Sequence, residues 1–372
     1  MEVIAVRLHG LDLLRSILML AGVLYHASLV IGPNPWGYNS YEHTLPILYS
    51  VVHLTHYFRM EAFFSLSGFF SALVLIKKGN NYFFIGRLKK LLIPLIMTVL
   101  FINPIQVIFL YINGEIDFSA LYNINGYIAH TWFLISLFVI SFIFICLPRK
   151  ALSHLRDLKT NKLSIVSVIL VFLSCVIFLY IPRVINVLAS LVLGDGNGFK
   201  LFSYFLTTPM KYIPYFLLGV LLFLNYGFRD TISKLRIKFL LFFLVSSLIG
   251  IYCIEFYNGF DKVVPLMFKV AIVPLQFISS LSFSLLVFKV FSSERFKKSE
   301  LVNFLVRSSL VVFLFHQPVL IISSYYLDLF VSNSFIYYVS IVLVTYAISF
   351  IIFIMIERNK VLNNLFGGWK VS

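Results

Sequence analysis

Long apolar runs, each near twenty residues and separated by short polar segments, dominate the chain. Runs of that length match a hydrocarbon core of roughly 30 Å at about 1.5 Å per helical residue. Ten of them read as membrane-spanning helices: 11–31, 53–76, 91–112, 131–147, 163–181, 211–225, 237–257, 269–291, 308–327 and 335–356. The sixth is short, and 181–193 either extends the fifth or forms a separate half-helix. The expected fold is all-α, a polytopic integral membrane protein with about ten transmembrane helices in one membrane-embedded domain, 1–372. The first run opens on Asp12 and Arg15 and lacks a small-residue cleavage site, so it reads as a span and not a cleavable signal.

Composition agrees: 60% of the 372 residues are hydrophobic and 12% charged, with 41 Phe and 21 Tyr for lipid-facing and interfacial positions. A net charge of +15 would suggest nucleic acid in a soluble protein, but its distribution explains it without one. With the N-terminus in the cytoplasm, the basic residues gather in 77–90, 148–162, 226–238, 289–307 and the C-terminal tail. Of the 30 Lys and Arg only Arg183, Lys200, Lys211, Lys262 and Lys269 fall outside, and Arg59 lies within a span. This alternation is the positive-inside pattern and predicts both termini in the cytoplasm. Cys146, Cys175 and Cys253 lie inside apolar runs, which gives neither a disulfide framework nor a metal spacing. The segment 182–210 contains Gly194-Asp195-Gly196-Asn197-Gly198 and reads as a turn-rich outer loop. The outer loop 32–52 carries Pro33, Pro35, Trp36 and tyrosines, and serves either as an aromatic belt or as a surface on which a sugar stacks.

Charged groups inside these runs are the candidates for chemistry, because burying them in lipid is costly. On the first helix, eleven residues separate Arg15 from His26 and return the azimuth to within about 20°. Asp12 lies about 40° from His26 on its other side, so the three share one stripe. Arginine and histidine stand roughly 16 Å apart along the axis, half a bilayer. The second span descends from outside and carries Arg59 and Glu61 roughly 9–12 Å below the surface, near the depth of His26. These three groups suggest a buried acid-base site in which His26 takes a proton from a hydroxyl. The alternative is a self-neutralising Arg59–Glu61 pair, although residues two apart on a helix face different sides.

Ser65, Ser67, Gly68 and Ser71 either let helices approach closely or leave a gap for a slender acyl-pantetheine chain. The basic run Arg87-Leu88-Lys89-Lys90, followed by Pro94, suits positive-inside topology and also the phosphates of a cytoplasmic donor. His130 and Trp132 fit an interfacial anchor or a substrate shelf. His316, before Pro318 in the ninth span, reads either as a functional group turned away from lipid or as a packing residue. There is no Walker motif, Ser-His-Asp spacing or Gly-rich phosphate loop.

Together these residues resemble the membrane acyltransferase family three (acyltransferase-3). The shared features are Arg15 with His26 eleven residues on, Phe63-Phe64-Ser65-Leu66-Ser67-Gly68-Phe69, and the basic stretch from Arg87 to Pro94. Trp132-Phe133-Leu134, Phe216-Leu217-Leu218-Gly219 and His316-Gln317-Pro318 follow in order, so the resemblance covers nearly the whole chain. The segment His53 to Gly68, His26-Ala27-Ser28-Leu29 and Trp36, Asn39 and Ser40 look most like the family's periplasmic glucan succinyltransferase branch. One departure is Lys90, where an arginine is usual; a lysine offers a point charge in place of a bidentate fork.

The resemblance implies transfer of an acyl group, succinyl or acetyl, from cytoplasmic acyl-CoA to a hydroxyl of a periplasmic or cell-surface glycan. It implies a bacterial cytoplasmic (inner) membrane protein with no bound cofactor or metal and with the lipid bilayer as its medium. His26 would be the general base, with Glu61 and Arg59 orienting it or stabilising the oxyanion. Arg15, Arg87, Lys90 and Ser67 would bind the donor, and Trp36, His56 and Trp132 would lie on the acceptor side. Asp12 and His316 are further candidates. Direct transfer and an acyl-histidine intermediate both remain open. The competing functions are a transporter or flippase, which would also place ionisable groups in spans but usually shows repeated halves, and a non-catalytic export subunit.

Overall fold

The computed structural model describes residues 9–33, 37–40, 42–158, 165–258, 265–293, 296–297 and 299–367. Helices follow one another through the described residues. They are α1 (His9–Val30), α2 (Pro46–Leu54), α3 (Arg59–Arg87), α4 (Ile93–Met97), α5 (Asn103–Ile112), α6 (Ile124–Ile128), α7 (Trp132–Cys146) and α8 (Arg149–Asp157). The second half holds α9 (Ile165–Leu193), α10 (Asn197–Phe202), α11 (Thr208–Leu224), α12 (Tyr226–Lys234), α13 (Ile237–Asn258), α14 (Leu266–Phe291), α15 (Glu300–Asp328) and α16 (Ser334–Arg358).

Among the described residues nine apolar helical stretches are long enough to cross a bilayer, where the sequence suggested ten. The difference lies in Pro46–Ile112, a 67-residue stretch that would measure about 100 Å if straight. It is folded back on itself. Gly79 has φ 80 and ψ 173, a backbone state that side chains with a Cβ resist. Beyond it, Arg87 Nη2 donates to Ser71 Oγ at 2.5 Å, although sixteen residues of straight helix would part them by about 24 Å. The stretch therefore holds two crossings. Single π-helical turns at Leu88–Leu92 and Thr98–Ile102 each give way to a helix with proline in its first turn, at Pro94 and Pro104.

Two boundaries differ from the sequence reading. Residues 181–193 continue α9 through Pro182, because the apolar run Val184 to Leu193 meets no other helix-breaking residue before Gly194. The expected turn-rich loop shrinks to 194–196, and the next stretch starts at Asn197. Exposed Val192, Phe242 and Met355 on α9, α13 and α16 are the lipid-facing side of the bundle.

Small residues set the central contact. A Cβ on Gly68 would lie 2.0 Å from the Phe216 carbonyl oxygen, and one on Gly219 would lie 1.7 Å from that of Ser65. Only bare backbone lets α3 and α11 pack this closely. Ser65 Oγ adds a hydrogen bond to the Tyr215 carbonyl at 3.0 Å. Helix α1 runs antiparallel to α3: the Arg15 guanidinium lies 5.3 Å from the Phe70 ring, while Gly22 packs against Arg59 Nη1. On its other side α1 meets α16, whose Tyr346 hydroxyl donates to the Leu20 carbonyl at 2.8 Å.

The segment after α1 is tied down rather than spread as a belt. Tyr38 and Ser40 donate to the two carboxylate oxygens of Asp328 at 2.5 and 2.6 Å. His43 lies between Asp328, at 3.4 Å, and Ser334 Oγ, at 3.2 Å. Burial, reinforced by the Asp328 carboxylate, raises the Tyr38 phenol above its ordinary range. Tyr38 and Tyr49 are buried, so neither is a belt or a sugar shelf. Trp36 lies outside the described residues.

Candidate functional site

Sequence first decides where α3 begins. The 3-10 turn Thr55–Tyr57 ends at Phe58, whose φ of −146 breaks the helix. Ser280 Oγ of α14 donates to the Tyr57 carbonyl at 2.8 Å and holds the break in place. Arg59 and Glu61 thus stand in the first turn of α3, where the helix N-terminus favours a carboxylate. Two residues apart, they point to different neighbours.

Arg59 turns toward α1. It is 5% exposed, and its guanidinium carbon lies 5.2 Å from the Tyr25 ring. Its Nη1 would be 3.3 Å from a Cβ on Gly22, so the glycine makes room for it. Neither Nε nor Nη1 has a hydrogen-bond acceptor. A buried guanidinium with idle donors is costly unless something negative visits it. Arg59 also lines a small cleft with Leu18, Met19, Gly22, Met60, Phe63, Phe133 and Phe313. It is the charged residue in that apolar lining.

His26 stands beside Tyr25 with its ring 5.1 Å from that of His316. His316 is in turn 4.9 Å from His130, and both border Phe313 at 5.1 Å. His316 Nδ1 donates to the Phe313 carbonyl at 2.5 Å, which leaves Nε2 of the neutral ring as an acceptor. That Nε2 is buried and has no hydrogen-bond partner. His130 is held from its backbone outward. Its N–H donates to Gln317 Oε1 at 3.1 Å, its Nδ1 meets the same oxygen, and its Nε2 reaches the Leu314 carbonyl at 3.2 Å. Ala129 before it has φ 42, an uncommon state for a residue with a Cβ. His130 is 1% exposed, so it is neither an interfacial anchor nor an open shelf.

Glu61 is not brought to His26. It turns to α14 and α11, where Gln276 Nε2 donates to Oε1 at 2.9 Å and Lys211 Nζ lies 4.0 Å away. Its expected place beside the base fails for the helical reason already given. His56 stacks on Tyr25 at 4.9 Å, with its Nδ1 buried and unpartnered. Trp132 stacks on Tyr212 at 5.6 Å, on the Lys211 side.

The basic residues gather at the far end of α1 and α3. Arg15, Arg87 and Lys90 are close enough to repel one another. Arg87 lies over the Phe83 ring at 4.7 Å and on Ser71. Ser67 is buried, and its carbonyl accepts from Ser71 Oγ at 2.5 Å. Ser65 and Gly68 belong to the α3–α11 contact, so the packing reading holds for those two. Asp12 is buried on α1.

Sequence reading passed over several members of this site. Tyr25 adjoins His26 and Gln317 stands inside the His316-Gln317-Pro318 motif, and neither carries a spacing signal of its own. Lys211 was counted as a topology charge, while Gln276 is an isolated polar residue in an apolar run. The intramembrane position of Gln276 was the one available clue.

The chain belongs to the acyltransferase family whose model is described as "Acyltransferase domain", which matches residues 8–354. It is similar to Glucans biosynthesis protein C of Escherichia coli SMS-3-5 / SECEC, 30% identical over 234 residues that cover 59% of each chain. The protein of the same name from Escherichia coli K12 is 29% identical over 233 residues, again 59% of each chain. The chain thus spans about three fifths of the length of these curated relatives. No solved structure matches it.

Proposed function

We propose that this member of the acyltransferase family is an integral membrane O-acyltransferase of the bacterial cytoplasmic membrane. It moves an acyl group, succinyl or acetyl, from cytoplasmic acyl-CoA to a hydroxyl of a periplasmic or cell-surface glycan. The observation that carries this reading is the buried Arg59 guanidinium, with idle Nε and Nη1 donors, at the head of an apolar cleft beside His26 and His316. Such a guanidinium in a water-poor site suits charge that appears only in a transition state. The relatives named for glucan biosynthesis support a glycan as acceptor.

In the proposed reaction the acceptor hydroxyl arrives from the outer side and gives its proton to His26. Its oxygen attacks the thioester carbonyl carbon, and the electron pair displaced onto the carbonyl oxygen faces Arg59. Collapse of that tetrahedral oxyanion breaks the carbon–sulfur bond. The departing thiolate takes the proton back from His26, so the base is restored and no oxidant or metal is needed. Arg15, Arg87 and Lys90 act at the inner mouth, where they attract the anionic part of the donor. The orientation, with both termini cytoplasmic, belongs to this proposal.

The test uses proteoliposomes supplied with acyl-labelled acyl-CoA on the cytoplasmic side and glucose oligosaccharide on the other. Label covalently bound to the oligosaccharide supports the proposal. Oligosaccharide that crosses the membrane unlabelled would instead indicate a transporter.

A further inference from the structure

The polar group around Glu61 is not used by the chemistry above, and it is built. Glu61 is fully buried. Gln276 is fixed from both ends: its Oε1 accepts from Arg183 Nη2 at 3.4 Å, and its Nε2 donates to Glu61 Oε1 at 2.9 Å. Lys211 Nζ, 4.0 Å from the same Oε1, is too far for a hydrogen bond. Oε2 has no hydrogen-bond partner. Protonation does not remedy this, because a protonated Oε2 would then be a donor without an acceptor. A buried carboxyl oxygen left idle in either state within a membrane helix is a candidate ligand contact.

The surroundings indicate what that ligand is. Lys211 is 28% exposed and lies 5.2 Å from the Tyr212 ring. Tyr212 stacks on Trp132 at 5.6 Å, and Trp132 is only partly buried. A carboxylate acceptor, a loosely held ammonium and an aromatic face side by side suit a polyhydroxylated ring. Its hydroxyls bond the polar groups while its C–H face lies on the indole.

We propose that Glu61, Lys211 and Trp132 form a carbohydrate subsite that holds the acceptor, with Gln276 as the positioning residue that fixes the Glu61 carboxylate. The inference deepens the function proposed above and rests on its reading of the acceptor as a glycan. In this arrangement a sugar hydroxyl donates to Glu61 Oε2, the Lys211 ammonium donates to a neighbouring sugar oxygen, and no covalent bond changes.

The experiment measures binding without turnover. The chain has three tryptophans, so a Trp36→Phe, Trp369→Phe background leaves Trp132 as the reporter. Protein in lipid nanodiscs is titrated with glucose oligosaccharide in the absence of acyl-CoA. The expected results are a saturable change in Trp132 fluorescence, weakened at least about tenfold by Glu61→Gln and by Lys211→Met. Lys211 is partly exposed, so its replacement tests the subsite even if Glu61→Gln fails to fold. Wild-type affinity in Lys211→Met together with any folded Glu61→Gln overturns the subsite. So does a Glu61→Gln enzyme that loses kcat while its acceptor KM is unchanged. Glu61-dependent binding in a protein that transfers no acyl group would overturn the proposed reaction and leave the subsite standing.

Discussion

Replacing Gly219 by alanine should disable this protein through geometry alone. The new Cβ would fall 1.7 Å from the Ser65 carbonyl oxygen and 2.8 Å from the Phe69 nitrogen. Both are backbone atoms of α3 that no rotamer change can move aside. Ordinary contact begins near 3.4 Å, so α3 and α11 must part by about 1.7 Å at this crossing. The Ser65–Tyr215 hydrogen bond of 3.0 Å does not survive such a separation. Overpacking of this kind costs about 1–3 kcal/mol. The larger effect is on the site, because α3 carries Arg59 and Glu61 while α11 carries Lys211. Misplacement by about 1 Å can cost on the order of a hundredfold in rate.

The assay pairs thermal unfolding in detergent, followed by size-exclusion chromatography, with acyl transfer from labelled acyl-CoA. Gly68→Ala should act in the same direction, since its Cβ meets the Phe216 carbonyl oxygen at 2.0 Å. The double variant should lose less than the sum of the two, because one separation relieves both clashes. Gly198→Ala, with nothing within 4 Å of its Cβ, serves as the control and should be silent. A Gly219→Ala protein that unfolds and transfers like wild type would refute the close backbone contact and the coupling drawn from it.

Other expectations follow from the same structure. His26→Gln should fold and still bind acyl-CoA yet lose transfer by about a hundredfold or more; normal transfer would remove His26 from the mechanism. Arg87→Ala should weaken acyl-CoA binding more than acceptor binding, and added salt should weaken wild-type binding in the same way; an unchanged isotherm would reduce Arg87 to a topology signal. In a cysteine-free background, Asp195→Cys should react with an impermeant reagent from the periplasm and Asn80→Cys should not; the reverse would invert the orientation. Ala129→Gly should keep or raise thermal stability because it relieves the positive φ, whereas Ala129→Val should lower it by about 1–3 kcal/mol.

Much of this was legible in the sequence because lipid leaves few options. A chain of apolar runs must be helical, and its breaks show as charged or Gly-rich segments. The depth at which α1 and α3 carry their polar groups followed from helical rise alone. What could not be read was rotation about α3. The order Arg59-Met60-Glu61 fixes that the two charges diverge, but not which of them meets His26. That depends on how the break at Phe58 is held against α14, where Ser280, more than two hundred residues away, bonds the Tyr57 carbonyl. His130 reads from sequence as an anchor or a shelf, and its place beside His316 escaped for a similar reason: its neighbour Gln317 belongs to α15, and no local pattern joins them. The merging of two crossings through Gly79 was equally silent, since a glycine in 77–90 looks like any loop glycine.

The two helices that lead to the site also share a ruler. On α1, eleven residues part Arg15 from His26; on α3, eleven part Arg59 from Phe70. Eleven residues make about three turns, so each pair lies on one face of its helix with roughly 16 Å between members. Run antiparallel, the faces meet at both ends, with Arg15 on Phe70 and Arg59 on Tyr25 next to His26. The small cleft lined by Leu18, Met19, Gly22 and Phe63 lies within the interval, at the Arg59 end. On the proposed reaction this spacing solves a solvation problem. A charged phosphate group drawn into hydrocarbon would forfeit its hydration at a large cost. With the cations half a bilayer from the base, the phosphates of the donor stay at the inner mouth, and only the arm that carries the acyl group has to extend toward the base. The reacting carbonyl then reaches Arg59 and His26 where little water competes for it, and there a guanidinium with idle donors stabilises charge most strongly.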